Sequence, residues 1–577
     1  MSSATRLRPE ELRSYRWYGP DTIRASAHRQ RTLQMGFRRK DFTGKPIIGL
    51  INTWNELSTC HYHLKERANE ARRGVWAAGG LPLEFFALGL GEVMVKPTTM
   101  FHRNLLAMEV EEIIRSHPLD GVILLGGCDK TVPGLIMGAI SAGVPFLFLP
   151  AGPMLNGHWR KHTIGAGTHT KKFWEELRSG TITHQDWEEI EEAICRSNGT
   201  CNTMGTASTM TALVEAMGLT LPNTICIPAV DSAHPRMATD CGERIVEMVW
   251  ENLVPEKILT REAFMNGVAT LMAVGGSTNA PIHMVAMANR AGISLTLEDF
   301  DAVSRKLRVI ADMLPAGRFL MEDLFYAGGL SAILNRIKEH LALDCLTVNG
   351  KTLGDNITDA PCYNDEIVRT LDAPLTDVES IAVLRGNLAP DGAIIKPSAS
   401  TRELLVHTGK AVVFNGVADL YARVDDPDLD VDENSVLVMK QGGPVGGPGM
   451  PEWGGMTIPK KLLAKGVRDM VRISDARMSG THYGTVVLHV APESAVGGPL
   501  ALVEDGDMIE LNVPERKLNL LVDEAELARR RAAWKAPAPH YSRGYGAMYC
   551  AHVTQAPEGC DFDFLQGSEK LPEPDIY

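Results

Sequence analysis

From about residue 45 to 345, short apolar runs alternate with segments of helical character, and this alternation constrains the fold more than any other feature of the chain. "KPIIGLINT" (45–53) reads as a strand and "HLKERANEARRGVWAAGG" as a helix closed by glycines. "LPLEFFALGLG", the helical "MFHRNLLAMEVEEIIRSH" and the strand "LDGVILLGG" follow, then helix "LIMGAISAG" and strand "VPFLFLPAG". A strand that is apolar on both faces needs cover on both faces, so the pattern predicts an α/β domain with a parallel sheet flanked by helices. Further helices are expected over 172–196, 205–217, 241–253, 281–291 and 298–310. After residue 370 the texture changes to short β-rich runs such as "SIAVLRGNLA", "KAVVFNG", "SVLVMKQGG" and "TVVLHVAPE", parted by Gly, Pro, Asp and Asn. These predict a second, β-barrel-like domain. The expected division is 1–370 and 371–577, with 364–380 as a linker and the last 35 or so residues wrapping over a neighbour or an edge.

A net charge of −13 argues against nucleic acid or an anionic membrane as the main partner, while local cationic sites can still take an anionic substrate. The start has no apolar leader, and the longest apolar runs are short and carry prolines. A cytoplasmic location without a membrane span is therefore expected. Ten cysteines in 577 residues, with no C-x-x-C pair, do not make a disulfide scaffold. Cys226, Cys241, Cys345 and Cys362 read as inert.

Three other cysteines share a small, polar, turn-like context: Cys60 in "NTWNELSTCHYH", Cys128 in "LGGCDKTVPG" and Cys201 in "SNGTCNTMGTASTM". Cys60 and Cys128 follow strands, where open α/β sheets bind ligands. Cys201 precedes a helix whose amides would favour its thiolate. Such a trio can hold an iron–sulfur cluster or zinc with one position open, or can be three unrelated buried thiols. Glu92 in "GLGEVMVKPTTM", Asp129 and Glu452 in "GGPGMPEWGG" offer oxygen ligands suited to Mg²⁺, although a lone Glu in a glycine-rich turn is more often a solvated loop residue. "VGGSTNA" (274–280), with Ser277 and Thr278, reads equally as an anion site or a helix cap. In "ISDARMSGTHYGTVV" (473–487), Ser479 reads as a nucleophile, a base or a turn residue. His61, His63 and His482 are candidate metal ligands, with surface histidines the commoner outcome.

Taken together, "GCDKTVPG", "CNTMGTASTM", "GGSTNA", "RGNLAPDGAIIKP", "GPGMPEWGG" and "SDARMSGT", in this order, resemble the dihydroxy-acid dehydratase / 6-phosphogluconate dehydratase family over nearly the whole chain. The resemblance implies a [2Fe–2S] cluster held by Cys60, Cys128 and Cys201 with one iron open to substrate. It implies Mg²⁺ held by Glu92, Asp129 and Glu452, with Lys130 carbamylated as a further ligand, and Ser479 as the base that removes the C2 proton. A carbamate would turn the ammonium of Lys130, otherwise out of place beside a cation, into an oxygen donor. "SDARMSGT" with Thr481, "INTWNELSTC" and "PAGPMLNGHWR" look closest to the sugar-acid branch and to L-arabinonate-type enzymes. Thr481 would bond a substrate hydroxyl or stiffen its loop. "HYH" after Cys60 departs from relatives, which tend to carry a smaller polar pair. The expected activity is dehydration of an aldonate such as L-arabinonate, D-xylonate, D-galactonate or D-gluconate to its 2-keto-3-deoxy acid. Competing readings are a branched-chain dihydroxy-acid dehydratase, an iron–sulfur sensor that keeps the fold alone, and a zinc hydrolase. A homodimer or homotetramer is expected, acting on a small molecule.

Overall fold

The computed structural model describes residues 6–569 and 571–576. Strands β1 (Ile47–Asn52), β2 (Leu81–Phe86), β3 (Gly121–Gly126) and β4 (Phe146–Pro150) form a sheet in the order β2-β1-β3-β4, with every neighbouring pair parallel. β1, β3 and β4 are buried at every residue, which is why their sequences are continuously apolar rather than alternating. The crossovers are helices α1 (Leu64–Ala77), α2 (Thr99–Ser116) and α3 (Thr131–Ala142). The strand order reverses direction between β1 and β3, and that switch point opens a crevice beyond their carboxyl ends.

The alternation ends at β4, earlier than expected. Residues 151–357 are helical apart from a two-stranded hairpin, β5 (Gly157–Trp159) with β6 (His162–Ile164). The expected helix over 172–196 is divided into α4 (Thr168–Arg178) and His184–Ile194, because Gly180 turns the chain at φ +76° and Thr183 caps the second helix. Helix α5 (Thr206–Ala216) is buried at all eleven positions, so it reads as apolar without a period, much as a buried strand does. Helix α6 (Ala233–Trp250) packs on α1, and the helix Arg261–Ala273 was not legible as such.

The second domain is a closed barrel. Its strands are β7 (Ala382–Gly386), β8 (Ala389–Ile395), β9 (Val406–Phe414), β10 (Val436–Met439), β11 (Arg472–Ser474), β12 (Val486–Ala491), β13 (Met508–Asn512) and β14 (Lys517–Leu520). They close in the order β10-β11-β12-β8-β7-β14-β13-β9 around Val413, Val438, Ile473 and Val487. Because β10 and β11 are parallel, the loops that follow them leave from the same end of the barrel. The segment 364–380 is not a free linker. Ile367 and Val368 are buried, and the chain bonds along residues 309–312 through Asp312 N to Ile367 O at 2.9 Å and Leu375 N to Val309 O at 2.7 Å.

The C-terminal tail returns to the first domain. The Asp561 carboxylate pairs bidentately with Arg290 at 2.6 and 3.1 Å, with both side chains almost wholly out of solvent. Arg103 donates to the carbonyls of Gly559 and Cys560 at 2.9 and 2.8 Å. Among the described residues, no helix is long and apolar enough to cross a membrane.

Candidate active site

The site lies at the switch-point crevice, where sheet loops meet barrel loops. β3 ends at Gly126, and Gly127, Cys128, Asp129 and Lys130 fill the turn before α3. A Cβ on Gly127 would lie 2.5 Å from Ala151 Cβ and 2.8 Å from Thr200 Cγ2, so only glycine lets the turn pass between those two segments. Glu92 stands in the loop after β2 and is gripped by Thr98 and Thr99, whose hydroxyls donate to its two carboxylate oxygens. Glu452 comes from the loop after β10.

Glu92, Asp129 and Glu452 each bring a carboxylate oxygen within 4.8 Å of the other two. All three converge on Lys130 Nζ, at 3.1, 3.3 and 3.3 Å respectively. The lysine is fully buried, whereas the carboxylates keep 14–20% of their side-chain surface open to the crevice. Arg477, also buried, reaches Glu452 at 3.2 Å and donates to Thr98 Oγ1 at 3.0 Å. Three carboxylates thus face two cations, one formal negative charge in excess. Burial drives the Glu92 carboxyl above its ordinary range, with Lys130 opposing. For Glu452 the same burial is outweighed by Lys130, Arg477 and Lys171, which hold it below that range. A hard-oxygen set with unbalanced negative charge, open on one side, fits a divalent cation of the Mg²⁺ type.

Asp129 links this set to the cysteines, since its charge bears on both Cys60 and Cys201. The Cys60 thiol contacts that of Cys128. Glu92, Asp129 and Glu452 form the only such tight trio of ligand atoms among the described residues. Three thiols beside it fit an iron–sulfur cluster or a zinc ion with a coordination position left over. The helix-stabilised thiolate expected at Cys201 is not what the fold provides. Burial and the charge of Asp129 push this thiol up, and α5 begins five residues later.

His61 and His63 are not surface residues. His61 is wholly buried, and its Nε2 accepts from the amide of Cys128 at 3.1 Å, which fixes the cysteine turn. Burial, then His63, brings its imidazole down to about 3, so it stays neutral. His63 Nε2 donates to Ala151 O at 2.6 Å and its ring meets that of His234 edge-on, 5.7 Å away. "VGGSTNA" is bonded within the fold and does not present its amides to an anion. Ser277 Oγ bonds Thr206 Oγ1 at 2.8 Å, and Asn279 Nδ2 donates to Met478 O at 3.1 Å.

These contacts seat the loop after β11. A Cβ on Gly480 would lie 2.6 Å from Thr206 N and 2.7 Å from Ser277 Oγ, so glycine allows the loop to rest on the start of α5. Ser479 Oγ lies 2.9 Å from Thr481 Oγ1. The opening turn of α4 holds Thr481 in turn: Thr168 Oγ1 donates to its carbonyl at 2.9 Å, and Lys171 Nζ donates to its hydroxyl at 3.2 Å. Lys171 was not anticipated. In "HTKKFWEE" it reads as one of two solvated lysines, and only the third dimension brings it to the site. Burial brings its ammonium down to about 8, while Glu452, Cys201 and Asp129 act in the opposite sense. His482, half-buried beside it, is held well below the imidazole range by burial, then by Lys171 and Arg472.

Two halves built this way, a sheet crevice of thiols and carboxylates meeting a barrel loop, fit a lyase. The chain belongs to the dihydroxy-acid/6-phosphogluconate dehydratase family. The model of that family's N-terminal domain matches residues 45–356 and that of its C-terminal domain residues 366–560. The chain is 56% identical over 571 residues to the 6-deoxy-6-sulfo-D-gluconate dehydratase of Pseudomonas putida, covering 98% of this chain and 99% of that one. It is 49% identical to the L-arabinonate dehydratase of Rhizobium leguminosarum bv. trifolii, covering 97% of each. A dihydroxy-acid dehydratase of Caldanaerobacter subterraneus stands further off at 37%, covering 94% of this chain and 98% of the other.

Proposed function

We propose that this protein removes water from a 2,3-dihydroxy sugar acid, an aldonate of the L-arabinonate, D-xylonate, D-galactonate or D-gluconate type, and yields the 2-keto-3-deoxy acid. The observation that carries this reading is the convergence of Glu92, Asp129 and Glu452 beside the cysteine trio, with Arg477 of the Ser479 loop paired to Glu452 at 3.2 Å. Relatives at 56% and 49% identity carry sugar-acid names, and those named dihydroxy-acid dehydratase stand at 36–39%, which supports the substrate class.

In this reading Cys60, Cys128 and Cys201 hold a [2Fe–2S] cluster, and Glu92, Asp129 and Glu452, with a carbamate on Lys130, hold Mg²⁺. When bound, these groups supply Lewis acidity to the leaving 3-hydroxyl and to the carboxylate and 2-hydroxyl. The protein's own part is to orient and to move a proton. Ser479 Oγ takes the C2 proton as the C3–O bond breaks, hands that proton to the departing hydroxide so that water leaves, and the enol tautomerises to the ketone. No electron is transferred. Arg477 anchors Glu452, and the loop after β11 keeps solvent from the carbanion-like centre. The enzyme acts in the cytoplasm as a homodimer or homotetramer.

The test is 2-keto acid formation by anaerobically reconstituted protein from L-arabinonate, D-xylonate, D-gluconate, 6-deoxy-6-sulfo-D-gluconate and 2,3-dihydroxyisovalerate. Turnover of one or more sugar acids well above the last compound is expected. Turnover of 2,3-dihydroxyisovalerate alone would overturn the assignment, and a colourless, iron-free active protein would overturn the cluster.

A further inference from the structure

Ser479 is a poor base unless something lowers the energy of its alkoxide, since a serine hydroxyl holds its proton far above neutral pH. Thr481 Oγ1 sits between two polar atoms, Ser479 Oγ at 2.9 Å and Lys171 Nζ at 3.2 Å. An ammonium can only donate. Thr481 Oγ1 therefore accepts from Lys171, which leaves its own proton to be donated to Ser479 Oγ. The Thr481 amide also points at that oxygen, at 3.4 Å. When Thr481 donates, Ser479 Oγ is an acceptor twice over, and its own proton is directed away from the chain Lys171–Thr481–Ser479.

Lys171 has no carboxylate within ion-pair distance among the described residues, so its charge is not spent on a fixed partner. The titratable groups that bear on it are Glu452, Asp129 and Cys201 from the metal side, and His482 from the loop it holds. Three separate features fix its approach. Gly167 leaves no room for a side chain against Thr481, Thr168 bonds the Thr481 carbonyl, and Lys171 bonds the hydroxyl. The opening turn of α4 is built around this one threonine.

Resting on Ser479 as the proton-abstracting base, we propose that Lys171 is a positioning residue which, through Thr481, orients the Ser479 hydroxyl and stabilises its alkoxide. The proton balance is simple. Ser479 loses its proton to solvent before turnover, takes the C2 proton of substrate, and hands it to the departing hydroxide, while Lys171 keeps its protons throughout. Charge-assisted hydrogen bonds in a water-poor site are the stronger kind, and removing one preorganised donor of this type costs on the order of 10²-fold in rate.

The experiment compares K171M, K171R, T481V and the double variant K171M/T481V in reconstituted enzyme, with S479A alongside. The visible spectrum and Mg²⁺ content serve as the control for folding and loading. The expected result for K171M is a fall in kcat of about 10²-fold with KM within roughly threefold, because the interaction is made to the base and not to the substrate. The acid limb of its kcat–pH profile should move to higher pH, since loss of a cation raises the pKa of the alkoxide. K171R should recover at least about tenfold of that loss, and K171M/T481V should be no worse than the poorer single variant, because both cut one chain. A purely structural lysine would not move the pH limb. A raised KM with unchanged kcat and pH limb would make Lys171 a substrate anchor and overturn the inference, and fully additive losses would overturn it too. Normal K171M kinetics beside a dead S479A would sink this inference alone, whereas an active S479A would sink the base assignment with it.

Discussion

The two halves of the site are held by different means. The sheet half places Cys128 and Asp129 in the turn that follows the fully buried β3, beside a glycine that admits no side chain, and Glu92 in the loop after β2. The barrel half places Glu452, Arg477, Ser479 and Thr481 on loops whose positions come from the other domain: Lys130 beneath Glu452, Thr206 and Ser277 beneath Gly480, and α4 against Thr481. A scaffold positions the ligands, and an interface positions the base. On the proposed reading, damage to the cysteine turns should cost the cluster, and damage to the Ser479 loop should cost turnover with the cluster kept.

The largest expected effects test that division directly. Ser479→Ala should lower turnover by at least about 10²–10⁴-fold while the visible spectrum stays that of wild type. Cys128→Ser should lose the spectrum together with the activity, and a normal spectrum in that variant would remove Cys128 from the ligand set. Next comes the clasp between the halves. Asp561→Asn leaves the buried Arg290 with only the longer ion pair to Glu111 at 3.6 Å and should cost about 3 kcal/mol in denaturant unfolding. An unchanged midpoint would show that the tail carries no stability.

Acid should weaken the sheet half at the end of β4. His63 is held down to about 4 and His234 to about 3, both chiefly by burial, with Nε2 atoms on the carbonyls of Ala151 and Pro150. A histidine whose folded value lies below its unfolded value near 6.5 gives stability that is full above 6.5 and is lost as pH falls through the folded value. Each should cost about 1.4 kcal/mol per pH unit below 6.5, and His234→Gln should flatten the slope of stability against pH in that window. The smallest effect is expected at Gly480→Ala. The added methyl meets the backbone of Thr206 and should shift the base enough to lower kcat roughly tenfold with little change in the melting temperature. A large loss of stability there would show that the interface is as rigid as the sheet.

The sheet half was the more legible in sequence for the same physical reason. Strands such as "GVILL" with adjacent helices declare a βαβ order locally, and that order places Cys60 and Cys128 at one crevice. The barrel announced itself only as β-rich. Its closure depends on pairings such as β9 with β13 and β7 with β14, which join residues about a hundred or more apart, and no local pattern encodes them. The helix 261–273 is buried at ten of its thirteen positions, so its period is faint, whereas 206–216 was expected from its sequence. His61 escaped as a buried prop because its partner, the Cys128 amide, lies 67 residues away. Lys171 escaped for a stronger reason, since its contact with Thr481 spans 310 residues.

The tail clasp also bears on how the protein comes to be. Asp561 is made 271 residues after Arg290, and Glu452 is made 322 residues after Lys130. A ribosome therefore releases the cysteine turns and two of the three carboxylates long before the third carboxylate and the closing tail exist. During that interval the crevice stands open on its barrel side, and Lys130 has only Glu92 and Asp129 for company. The order of synthesis leaves that side of the crevice open until the barrel loop that carries Glu452 is made.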